Sequence, residues 1–88
     1  MKFVALIKFK QKMTKYLVAP TIKEIEYDKK HGSKLISAYW TLGRYDAVAI
    51  MEAPDESAAM KTAIRRGDIM SLETMAAIPV EEARKLVE

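Results

Sequence analysis

Lys34-Leu35-Ile36-Ser37-Ala38-Tyr39-Trp40-Thr41-Leu42-Gly43-Arg44-Tyr45-Asp46-Ala47-Val48-Ala49-Ile50-Met51-Glu52-Ala53 carries the clearest local signal in the chain, that of a β-hairpin. Two runs rich in β-branched and aromatic residues flank Gly43, which supplies the tight reversal that a two-residue turn requires. The expected strands are Lys34 to Leu42 and Tyr45 to Ala53. Side chains alternate across a strand, and residues opposed across a hairpin share a face. One face then carries Ile36, Ala38, Trp40 and Leu42 with Tyr45, Ala47, Ala49 and Met51, mostly apolar or small, which suits packing against helices. The other carries Leu35, Ser37, Tyr39 and Thr41 with Asp46, Val48, Ile50 and Glu52, an apolar wall with polar groups. A bulge would exchange the faces of one strand.

Working outward, Lys2 to Lys10 reads as a strand around the apolar run Phe3-Val4-Ala5-Leu6-Ile7. Gln11 to Ala19 is ambiguous, compatible with a short helical turn. Pro20, which lacks a backbone donor, is expected to open a helix to His31, with Ile22 and Ile25 inward and Gly32 as the stop. On the other side, Asp55 is positioned to cap a helix ending near Arg66, with Met60, Ala63 and Ile64 as its buried stripe and Gly67 closing it. Ile69 to Ile78 reads as the last strand. After Pro79, the stretch from Val80 through residues 81–88 reads as a C-terminal helix.

Strand, helix, strand, strand, helix, strand is the order of the ferredoxin-like α+β fold, a four-stranded antiparallel sheet with two helices on one face. A sheet with one wet face alternates apolar and polar residues, yet Phe3 to Ile7 and Ala47 to Met51 are apolar without a break. Beyond a short C-terminal helix nothing is left to cover the second face. The economical cover is a second copy stacked sheet on sheet, a homodimer through the open face, with a higher oligomer left open.

The chain has 88 residues, so a single domain over residues 1–88 is expected. It has no cysteine, which excludes disulfides, thiol catalysis and thiolate metal sites. No stretch has the length of a signal-peptide core or a membrane span, so a cytoplasmic protein without a membrane partner is expected. The net charge of +3 is unevenly placed: residues 1–34 hold nine lysines against three acids, and residues 35–88 hold six basic residues against nine acids. The densest basic stretch is Lys8, Lys10, Lys12 and Lys15, with Phe9 and Tyr16 between. The basic-aromatic strand signature of RNA-binding sheets is absent, so these lysines read as solvated surface and no nucleic-acid partner is expected.

The segment Tyr39-Trp40-Thr41-Leu42-Gly43-Arg44-Tyr45-Asp46, followed by Val48 and Glu52-Ala53-Pro54-Asp55, resembles the GYD domain family. Gly43, Tyr45 and Asp46 stand at the naming positions, Trp40 beside them, and Gly67 and Thr74 match further family positions. The resemblance implies a small ferredoxin-like protein similar to the dimeric α/β-barrel proteins. It implies no reaction, because the family is uncharacterised in function. The family often carries an Arg two residues after the last-strand Thr, where this chain has Ala76.

Chemistry has few carriers here. His31 is the lone histidine and sits beside a helix-capping glycine, where it reads as a helix-end cation, so neither a nucleophilic triad nor an imidazole metal site is expected. Three isolated glycines form no phosphate loop. No cofactor is expected. Two classes remain. The first is a module that binds a small molecule between stacked sheets or tunes oligomerisation, using Tyr39, Thr41, Asp46 and Glu52. The alternative is a cofactor-independent monooxygenase or isomerase of the dimeric α/β-barrel kind, with Asp46 or Glu52 as base and Tyr39 as hydrogen-bond donor. Against both, Asp46 can simply accept from turn amides, and Glu52 can solvate a strand end.

Overall fold

A computed structural model describes all 88 residues. The elements run β1 (Lys2–Phe9), α1 (Lys15–Lys30), β2 (Lys34–Trp40), β3 (Ala47–Glu52), α2 (Glu56–Arg65), β4 (Met70–Ala77) and α3 (Val80–Ala83), which passes into a single 3-10 turn at Arg84–Val87. The strands form one antiparallel sheet in the order β2-β3-β1-β4, so the two apolar runs occupy its centre. Both long helices pack on the same face, giving the ferredoxin-like arrangement. No helix is long and apolar enough to cross a membrane.

The core lies between the sheet and α2. One cluster joins Phe3, Met51, Ala53 and Ala59, and a second joins Ala5, Ile7, Ala47 and Met70. Burying a side chain the size of Phe3 or Met51 contributes about 1.5–3 kcal/mol. Alanines at Ala5, Ala47, Ala53 and Ala59 let the layers approach closely. Asp55 caps α2, its carboxylate accepting from the Ala58 amide at 2.9 Å. The inward residues of α2 are Ala59 and Thr62, while Met60 and Ile64 are exposed, so the expected stripe is rotated by about one position. The small residues win the inward face because the sheet beneath them is close.

The first helix begins at Lys15, five residues earlier than Pro20 alone suggests, and carries that proline inside it. Pro20 leaves the Tyr16 carbonyl without its helical donor. The next residue turns its hydroxyl back into the helix, Thr21 Oγ1 donating to the Leu17 carbonyl at 2.7 Å. Asp28 is the one buried residue of α1. An apolar cleft of about 180 Å³ is left between this helix and the sheet. The C-terminal stretch is helical only over its first turn and then tightens, where a continuous helix to Glu88 was expected.

The hairpin departs from simple alternation. Trp40 pairs with Ala47 and Ala38 with Ala49, but between Ser37 and Leu35 the register slips, leaving Ile36 unpaired in a bulge. Leu35 consequently joins Met51 on the helix side, and Ile36, expected in the core, is 45% exposed. Extending the pairing beyond Trp40 centres the reversal on Gly43 and Arg44. The Thr41 amide donates to the Asp46 carbonyl at 2.8 Å, and Gly43 sits at φ +100°, where a side chain would be strained. Leu42, expected inward, is fully exposed.

Candidate functional site

Away from the helices, the sheet presents Val4 and Leu6 from β1, Val48 and Ile50 from β3, Met75 from β4 and Tyr39 from β2. Val4, Leu6, Val48 and Ile50 are half-buried, and Tyr39 is 61% exposed. Charged residues surround this apolar patch: Lys2 and Lys34 lie opposite Glu52 in the strand register at one end, Lys8 at the other, and Glu73 stands opposite Leu6 on the edge strand β4. It is a rimmed apolar surface on the two central strands.

The structure separates the polar residues singled out in the sequence. Asp46 just precedes β3 and Glu52 ends it, six residues apart, or roughly 20 Å along an extended chain. They do not converge on one small molecule. Asp46 is engaged: its Oδ2 accepts from the Phe9 amide at 2.7 Å, tying the loop to the end of β1. Thr41 Oγ1 donates to the Tyr45 carbonyl at 2.7 Å. Glu52 is exposed at the strand end, and Tyr39 alone among the four flanks the apolar patch, opposite Val48 on the edge strand β2. No group of three His, Asp or Glu side chains is placed to hold a metal ion.

Tyr45 crosses to a neighbour unseen in the hairpin. Its hydroxyl donates to Glu73 Oε2 at 2.8 Å, reaching over β1 to β4. The Asp46 amide bonds the Ile7 carbonyl, one residue out of the ladder in which Ile7 pairs with Ala47. That slip turns Tyr45 away from the helix face where simple alternation put it. The Glu73 hydrogen bond, with desolvation and the carboxylate's charge adding to it, holds the phenol above its ordinary value of 10.0.

Two features were not read from the sequence. Trp40, taken there for packing, touches Phe9 edge-to-face with ring centroids 5.9 Å apart, yet it is 70% exposed at the mouth of the apolar cleft. Asp28 is buried against two guanidiniums, accepting from Arg65 Nη1 at 2.8 Å and from Arg66 Nη2, while Arg65 also meets Glu24. The spacing of Ile22, Ile25 and Asp28, three residues apart, was the available signal that this acid faces inward. Burial raises its carboxyl above the ordinary 3.8, with Arg66 and then Arg65 drawing it back. Arg65 also stacks over Tyr27, 3.8 Å from the ring centroid, and Tyr27 lies against His31 with centroids 3.9 Å apart. His31 Nδ1 is 2.8 Å from the Tyr27 carbonyl, so the histidine belongs to the helix end.

An antiparallel four-stranded sheet with helices on one face and an uncovered apolar patch on the other defines a small ferredoxin-like α+β protein. The model of the GYD domain matches residues 3–87, and the chain belongs to the GYD domain family. No curated protein matches it.

Proposed function

We propose that this protein is a homodimeric binding module of the dimeric α/β-barrel type, working in the cytoplasm, in which two copies stack through their open sheet faces and enclose a small molecule. The observation that supports this is the apolar patch Val4, Leu6, Val48, Ile50 and Met75, centred on the two inner strands and rimmed by charge. An antiparallel sheet facing water alternates to polar residues on that side, whereas the middle of both central strands here is apolar, at Val4, Leu6, Val48 and Ile50. Stacking a second copy about a two-fold axis buries the patch against itself and leaves the rim wet. Tyr39, which lies opposite Val48 and is largely exposed, is the residue to meet a ligand held there. A catalytic reading has less support, because the Asp46 acceptor is committed to Phe9 and Glu52 is about 20 Å away.

Light scattering on a gel-filtration column tests the assembly. Wild type is expected to run as a dimer at micromolar concentration. Leu6→Lys is expected to run as a folded monomer by circular dichroism. Ile64→Lys, on the exposed side of α2, is expected to stay dimeric. A monomeric wild type, or a Leu6→Lys dimer indistinguishable from wild type, would reject the proposal.

A further inference from the structure

The face of the sheet opposite the proposed interface carries a second cavity. It lies beneath α1, with Val18, Ile22 and Ile25 as its roof, Ile7, Leu35 and Met70 in its floor, and Trp40 at its mouth, and it has a volume of about 180 Å³. Three observations set it apart from ordinary loose packing. No apolar residue of α1 is buried, although the helix is 16 residues long. The only tryptophan is held out at the opening, steadied on one edge by Phe9, with most of its ring free. The two polar lining residues are both occupied: Thr21 donates to Leu17, and Arg66 is paired with Asp28.

We infer that the cleft between α1 and the sheet is a binding site for a small neutral apolar molecule of about one aromatic ring, with Trp40 at its rim. The size follows from the volume, since an apolar cavity of about 150 Å³ is large enough to take up benzene. The chemistry follows from the lining. A charged or hydrogen-bonding ligand would be desolvated without a partner, whereas an apolar ring meets aliphatic walls below and an indole at the rim. The site is independent of dimerisation, because the sheet itself separates it from the open face.

The methionines make the test specific. Met13 and Met70 line the cleft, Met75 lies on the open sheet face, and Met60 is on the outer side of α2. In the full-length protein with isotope-labelled methionine methyl groups, titration with toluene is expected to give saturable shifts of Met13 and Met70, with a parallel change in Trp40 fluorescence and none at Met60 or Met75. Ala38→Leu places a larger side chain in the cleft and is expected to weaken toluene binding by about tenfold or more. Ile64→Ala, on the exposed side of α2 and outside the cleft, is expected to leave it unchanged. Shifts confined to Met75, absence of saturable shifts at Met13 and Met70, or unchanged binding in a folded Ala38→Leu protein would each overturn the inference. Failure here would leave the dimer untouched, and a monomeric protein with saturable Met13 and Met70 shifts would leave this site standing.

Discussion

The carboxylate of Asp46 accepts the backbone amide of Phe9 at 2.7 Å, fastening the hairpin loop to the last residue of β1. An Asp at this place in the sequence therefore completes a strand end that the ladder leaves unsatisfied.

That bond separates a structural aspartate from a catalytic one. Asp46→Ala leaves the Phe9 amide unpartnered and is expected to lower stability by about 1–3 kcal/mol. Asp46→Asn keeps an acceptor oxygen and should recover more than half of that loss in urea unfolding. Equal loss in both variants would show that the charge, and not the hydrogen bond, matters.

The Tyr45 phenol is raised above 10.0 in the folded state, chiefly by its bond to Glu73. The folded protein holds that proton more tightly than the unfolded chain does. Its contribution to stability is therefore full below pH 10.0 and lost as pH rises through the raised value. Glu73→Gln should return the phenol towards its ordinary titration, read by ultraviolet absorbance, and flatten the alkaline fall in melting temperature.

Asp28 is the only side-chain partner of the Arg66 guanidinium, and both are largely buried. Asp28→Ala strands that charge and is expected to cost about 3–5 kcal/mol, measured by denaturant unfolding. Asp28→Asn should cost less, since its amide oxygen still accepts. Because burial raises the Asp28 carboxyl, the folded state favours its protonated form. Stability from this group is full below pH 3.8 and lost as pH rises through the folded value, so wild type should gain on Asp28→Asn as the solution is acidified towards 3.8.

Pro20 is the sixth residue of α1 and removes one helical hydrogen bond. Pro20→Ala restores the bond to the Tyr16 carbonyl, a gain of up to about 3 kcal/mol, against about 0.4–1 kcal/mol of freedom returned to the unfolded chain. A net rise in stability is expected. A fall would mean that the bend is needed for α1 to lie over the sheet.

The strands and their order were legible because alternation and the two unbroken apolar runs are properties of neighbouring residues. Asp55 was legible as a cap for the same reason. What escaped is non-local. The bulge at Ile36 is set by how β2 meets β3 and leaves no mark in residue types, so Leu35 and Ile36 exchanged places. Pro20 was weighed by its local preference, and the remaining length of α1 was hidden behind it. Of the candidate site, the apolar face was foreseen, while the dispersal of Asp46 and Glu52 follows from counting residues along one strand. Tyr45 was placed by alternation on the wrong side of the sheet because the slip beside Ile7 is a relation between strands.

The strand order also dictates a sequence of events when the chain is made. β1 is synthesised first but pairs with β3 on one side and β4 on the other. Its apolar run Phe3 to Ile7 has no neighbour until residues 47–52 have emerged, and is not flanked on both sides until residue 77 has followed. Closing those long loops costs entropy before any contact is gained. The nascent chain therefore carries an exposed, pairing-competent strand until β4 arrives, and that interval is when it is most open to pairing with a neighbouring chain.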